Sequence, residues 1–239
     1  MRRPLLAVLL FGVAFGYLEA AVVCYLRDLH EPVRQRYYPG RPVGDLFPLV
    51  TIEQTLAIDP KQTRTLAIEV GREAATLLML AAVALAAARN PRQWAALFAI
   101  AFGVWDIFFY VFLKLLIDWP ASLLTWDILF LIPLPWVGPV VAPVLVSCAM
   151  IGAGLWSLRS EAAGDPVLIG RWHWAGIVAG GLIVIVSFTL DYAHVMAGGF
   201  PRPFNWAVFT AGLATGTLSY ARAASTRVRT WDSVLSSNR

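Results

Sequence analysis

Long apolar runs separated by short polar segments set the pattern of this chain. At about 20 residues per membrane span, the runs fall at roughly 4–26, 66–88, 94–117, 138–158, 173–196 and 204–222. The pattern predicts an all-α polytopic membrane helical bundle of about six transmembrane helices, a single transmembrane domain over residues 1–239. The N-terminal MRRPLLAVLLFGVAFG imitates a secretory signal, with a basic start and an apolar centre. The apolar run continues past Glu19 to Leu26, however, so it reads as an uncleaved first span. Gly12 and Gly16 lie on the same helix face as Glu19 and would admit a neighbouring backbone.

Between the spans the pattern changes character. The stretch from about Asp28 to Arg64 carries five prolines and reads as an ordered outer cap, ending in Asp59-Pro60 as the N-cap and first residue of the second helix. After the third span, Asp118-Trp119-Pro120 breaks the helix. Ser122–Ile132 is too short to span and reads as a short outer interfacial or re-entrant helix, with Trp119, Trp126 and Trp136 as belt anchors. Asp127, beside Trp126, reads as interfacial. The competing reading makes this stretch a seventh span, which would place the termini on opposite sides.

Composition supports the membrane reading. Hydrophobic residues make up 59% and charged residues 14%, with a mean hydropathy of +0.66, whereas roughly 25% charge is usual in soluble domains. The pI near 9.3 does not signal nucleic-acid binding, because the basic residues flank apolar segments instead of forming one patch. Arg2, Arg3, Arg89, Arg92, Arg159, Arg171, Arg222, Arg227 and Arg229 all fall on one side of a six-span layout. By the positive-inside rule both termini are expected in the cytoplasm and the chain in the cell's inner (plasma) membrane. Cys24 and Cys148 sit in apolar runs, so neither a disulfide framework nor a cysteine zinc site is expected.

The chemistry lies in the charges the apolar runs contain. Asp106, Tyr110 and Lys114 stack at i, i+4, i+8 on one helix face. A charge at a helix centre costs on the order of 2.5–3.5 kcal/mol on insertion scales, and such groups face the protein interior or a water-filled cavity. With Glu19, Glu69, Arg72, Glu73, Asp191 and His194, these residues are the candidates for ligand binding or proton handling. Each also has a structural reading. Glu69, Arg72 and Glu73 can form an i, i+3 or i, i+4 ion pair, Lys114 can snorkel to the headgroups, Asp106 can pair with Arg72 or Lys114, and His194 can serve as a hydrogen-bonded structural residue.

A divalent metal would find oxygen ligands here, with Glu73 and Asp106 the candidate ligands, but no recognised ligand motif accompanies them. Haem is not expected, since His173 and His194 fall at opposite membrane faces and His30 in a loop. No Gly-x-Ser-x-Gly elbow or phosphate loop is present. The expected function is binding or translocation of a small polar or amphipathic molecule in an intramembrane pocket open to the outer side. Alternatives are a membrane-embedded enzyme using the carboxylates, with or without a metal, on a lipid or isoprenoid-type substrate, and an accessory subunit of a membrane complex. The expected partners are the bilayer, a small molecule or lipid, and a membrane protein or second copy.

Overall fold

A computed structural model describes residues 2–58 and 62–237, with side chains at 58, 62, 63 and 226–237 excluded. In chain order the elements are α1 (Arg2–Tyr37), α2 (Ile52–Ile58), α3 (Gln62–Ala87), α4 (Pro91–Ile117), β1 (Trp126–Phe130), β2 (Trp136–Pro139), α5 (Val141–Ala162), α6 (Arg171–Thr189), α7 (Tyr192–Met196) and α8 (Trp206–Ser237). The protein is a helical membrane bundle. Five stretches, Arg2–Tyr37, Arg64–Ala87, Pro91–Ile117, Val141–Ala162 and Arg171–Met196, are long and apolar enough to cross a bilayer. The sixth expected span falls on the first part of α8, which is not among these five; there Thr210, Thr215 and Thr217 turn their hydroxyls back onto the helix's own carbonyls.

Glycine contacts fix how the helices pack. A Cβ at Gly12 of α1 would meet Val104 and the Ala101 carbonyl, and one at Gly16 would meet the backbone of Phe108 and Phe109. The rising numbers on both helices show that α1 and α4 run parallel. Gly103 of α4 lies against Ser147 and Ile151, and Gly154 against Ala96 and Ile100, so α5 runs antiparallel to α4. Gly180 faces Gly212 and Gly216, while Gly176 meets Ser219, which makes α6 and α8 an antiparallel, backbone-close pair. The main core joins Val8, Phe15, Leu80, Leu97, Ile100, Trp105 and Leu158.

Local sequence explains the ends of α4. Asn90 accepts a hydrogen bond from the Gln93 N–H and is followed by Pro91, an N-cap with proline in the first turn. Asp118 closes the helix in the left-handed region at φ 53°, as its place before Trp119-Pro120 predicted. At the N-terminal end of α4, Asn90 Nδ2 and Gln93 Nε2 both donate to Glu161 Oε1, at 2.7 and 3.0 Å, tying the α3–α4 turn to the end of α5.

Three expectations are corrected. Residues 122–132 form no helix: β1 and β2 pair antiparallel as a hairpin, with Asp127 opposite Gly138 and Ile128 opposite Val137. Pro133 and Pro135 occupy its connection, where neither can donate a helical hydrogen bond, and the Trp, Ile, Phe and Val residues around them favour the pleated surface. The outer cap is also shorter than expected, because α1 runs on through Pro32 to Tyr37. Glu31 holds that extension by accepting from Arg34 (2.9 and 3.0 Å) and from Gln35 (2.6 Å). The loop proper is therefore 38–51. Finally, the expected continuous helix over 173–196 breaks after Thr189, and α7 begins after Asp191. The expected N-cap at Asp59-Pro60 lies outside the described residues.

The hairpin, the 38–51 loop and α7 close one end of the bundle through a small core of Phe47, Val137 and Val195. A cavity lies beneath this cap.

Candidate functional site

The cavity has a volume of about 400 Å³ and is walled by α1, α3, α4, the hairpin and the 38–51 loop. Six of the nine candidate residues line it: Glu19, Glu69, Arg72, Glu73, Asp106 and Tyr110. They come from α1, α3 and α4. Leucine, isoleucine and valine side chains make up much of the remaining wall, so the charges sit in an apolar setting that strengthens their interactions.

Glu19, only 3% exposed, accepts a hydrogen bond from Thr76 Oγ1 at 3.0 Å and forms an ion pair with Arg72. Arg72 also pairs with Glu69 one turn earlier, with Nε donating at 2.6 Å. One guanidinium thus bridges carboxylates from two helices. Glu73, also buried, accepts the Leu131 N–H at 2.8 Å and so docks the hairpin onto α3. Asp106 accepts from Ser147 Oγ at 2.8 Å, pairing with neither Arg72 nor Lys114.

The hairpin adds a carboxylate. Asp127 is 6% exposed, which corrects its interfacial assignment. Its Oδ2 accepts the Tyr110 hydroxyl at 3.0 Å and its Oδ1 accepts the Ile128 N–H at 2.9 Å. Burial pushes the Asp127 carboxyl up to about 6, against the opposing pull of Arg27 and the Tyr110 hydrogen bond. Arg27 lies over the Trp119 ring, 4.0 Å from its centroid, a cation–π contact. Arg34 closes the wall at the capped end, bound to Glu31 and to the Pro42 carbonyl at 2.6 Å.

Three candidates lie elsewhere. Lys114 is exposed and pairs with Asp118 at 2.6 Å. That cation also holds the fully exposed Asp118 carboxyl below its ordinary range, first through the hydrogen bond. Asp191 accepts the Arg202 N–H at 2.8 Å at the α6–α7 break, and the His194 ring packs against Gly199.

Sequence reading missed Arg27, Arg34 and Asp127 as cavity residues. Carrying the helical period of Glu19 past Leu26 would have found the first two, since Glu19, Val23, Arg27, Glu31 and Arg34 are spaced by three or four residues and all line the cavity. Asp127 required the period-2 pattern of a strand.

Charge pairing is uneven. Seven carboxylates line the cavity (Glu19, Glu31, Asp45, Glu69, Glu73, Asp106 and Asp127) with three guanidinium groups (Arg27, Arg34 and Arg72). Glu31 pairs with Arg34, Asp45 with Arg41, and both Glu19 and Glu69 with Arg72. Glu73, Asp106 and Asp127 accept hydrogen bonds only from neutral groups and form no ion pair among the described residues. No family model, curated protein or solved structure matches this chain. The geometry itself must therefore carry the functional reading. Among the described residues no group of three histidine, cysteine or acidic side chains is arranged to hold a metal ion.

Proposed function

We propose that this membrane protein binds, or passes across the bilayer, a small polar or amphipathic molecule in the cavity beneath its cap. One observation carries the reading: carboxylates from α1, α3, α4 and the hairpin converge on one cavity, and three of them, Glu73, Asp106 and Asp127, form no ion pair among the described residues. An ionisable group at membrane depth without a charged partner is costly, and a ligand cation or a proton relieves that cost. Glu19, Arg72 and Glu69 form the polar floor, with Tyr110 and Asp127 the inner edge of the cap. The proposed setting is the plasma membrane with both termini cytoplasmic, in keeping with the arginines at the turns.

A second reading uses the same carboxylates. Two carboxylates facing one cavity can act as general acid and base, making the protein an enzyme on a lipid or isoprenoid-type substrate.

The test is native mass spectrometry of the full chain purified from its own membrane. A small-molecule adduct is expected on the wild type and on Asp191→Asn, whose site lies outside the cavity. Asp106→Asn should reduce occupancy about tenfold, as expected for loss of one charge-assisted contact. A folded wild type without adduct, or an adduct unaffected by Asp106→Asn and Glu73→Gln, would overturn the reading. A different adduct mass on the variants would mark unconverted substrate and favour the enzyme.

A further inference from the structure

The buried polar atoms of the cavity are mismatched in one direction. Arg27 Nε and Nη1, Arg34 Nη1 and Trp105 Nε1 are buried with no hydrogen-bond partner among the described residues. Arg72 Nη1 is not counted with them, because it lies against the Glu19 carboxylate. All four are N–H donors. Arg34 and Trp105 are each only 7% exposed, and both line the cavity. An orphaned buried donor is costly, and neither indole nor guanidinium can accept a hydrogen bond. The missing partner must therefore bring acceptor oxygens.

The carboxylates ask for the opposite. Glu73 and Asp106 have only neutral donors, so a partner that brought negative charge alone would meet carboxylates in excess of arginines. A group carrying both signs satisfies both sets. Along α1, Arg27 and Arg34 lie eight and fifteen residues beyond Glu19, roughly 12 and 22 Å at the helical rise. Orphan arginine donors thus stand toward the capped end and the acidic floor lies deeper.

The rim supplies the third constraint. Ile52, Leu56 and Leu66 line the cavity and are also exposed, so the α2–α3 side of the mouth is apolar. His30, exposed on α1, and Asp45 border the other side. A mouth with one oily and one polar edge suits the headgroup level of a bilayer, where a molecule can keep its tail in hydrocarbon while its head enters.

We propose that the cavity takes a zwitterionic amphiphile, sideways from the bilayer past Ile52, Leu56 and Leu66, with its anionic oxygens on Arg27 and Arg34 and its cationic group toward Glu73 and Asp106. An aminophospholipid or its single-chain derivative has this chemistry, and a free zwitterion shares the head. The inference rests on the cavity being a ligand site, as proposed above.

The experiment titrates the full chain, in a non-ionic detergent, with five probes. Four share a twelve-carbon chain and bear a phosphoethanolamine, phosphate, ammonium or hydroxyl head; the fifth is phosphoethanolamine without the chain. The readout is intrinsic fluorescence, with Trp105→Phe as the reference that removes the cavity indole. The tailed zwitterion is expected to bind at least about tenfold more tightly than the other four. Arg34→Gln and Asp106→Asn should each weaken it about tenfold, with thermal melting confirming that both fold. Leu66→Trp, at the rim, should weaken the tailed zwitterion and leave phosphoethanolamine unchanged, supporting sideways access by lipid.

Equal binding of phosphoethanolamine would show a free zwitterion as ligand and overturn the bilayer source. Binding of the tailed phosphate or ammonium as tightly as the zwitterion would overturn the two-sign head while leaving the ligand site standing. Failure of all five to bind folded wild type would overturn this inference, and a native small-molecule adduct on the same preparation would then leave the proposed function standing.

Discussion

Asp127 shows how one residue couples the cap to the cavity. Its carboxyl, pushed up to about 6 by burial, is harder to ionise in the folded chain than in the unfolded one, where an ordinary aspartate titrates near 3.9. The folded state therefore holds this proton more firmly. Its contribution to stability is complete below about pH 4 and is lost as pH rises toward 6, a change on the order of 3 kcal/mol. Other carboxyls titrate too, so the quantity to measure is the difference between wild type and Asp127→Asn. The melting temperature of the wild type, relative to that variant, should fall by several degrees between pH 4 and 6.5 and stay level above. A constant difference across that range would mean Asp127 ionises as it does in water. Glu19 and Asp106 were legible from sequence because a charge inside an apolar run stands out. Asp127 was not: its run is interrupted by prolines, and only the Tyr110 hydroxyl and the Gly138 pairing reveal it as inward-facing.

At the scale of elements, the helices follow from hydrophobic period and their ends from Asn90-Pro91 and Asp118. The hairpin does not follow, because Trp-Asp-Ile-Leu-Phe reads as well for a short helix as for a strand, and the choice is made by contacts distant in sequence such as Glu73 with the Leu131 N–H. Asp191 and His194 share a face with Gly180 on an unbroken helix, but the break after Thr189 turns them toward the 198–202 segment. Small residues were more dependable. Gly180 and its neighbour Gly181 offer a matched comparison. A Cβ at Gly180 would stand 2.5 Å from the Gly216 nitrogen and 2.7 Å from the Gly212 carbonyl, whereas one at Gly181 would meet nothing within 4 Å. Gly180→Ala should destabilise the α6–α8 pair by about 1–3 kcal/mol, the usual range for overpacking. Gly181→Ala should be neutral or slightly stabilising, since alanine is the better helix former. Detergent-phase thermal melts of the two variants check this, and equal melting points would mean α6 and α8 do not pack through this face.

For the whole molecule, the glycine contacts set helix directions. α1 and α4 run the same way and α5 the other, so the 38–51 loop lies at one end of the bundle and the turn after α5 at the opposite end. Cysteine placed at Arg41 and at Arg159 should be labelled from opposite sides of sealed vesicles by a membrane-impermeant maleimide. Arg159 should react only from the cytoplasmic side if the arginine-rich turns lie there. Labelling of both from one side would refute the alternation. The six apolar runs made this layout readable from sequence. The cavity was only partly readable, because its walls depend on which helix faces meet.

Helix α3 buries a narrow stripe of Glu73, Thr76, Leu80 and Ala84 among its described residues. Leu80 and Ala84 join the hydrocarbon core with Val8 and Leu97, while Thr76 and Glu73, with Arg72, reach α1 and the hairpin through polar contacts. Apolar packing is indifferent to protons, and carboxylate contacts are not. One end of α3 is thus anchored identically in acid and in base, and the other is fastened by bonds that a change of charge can undo.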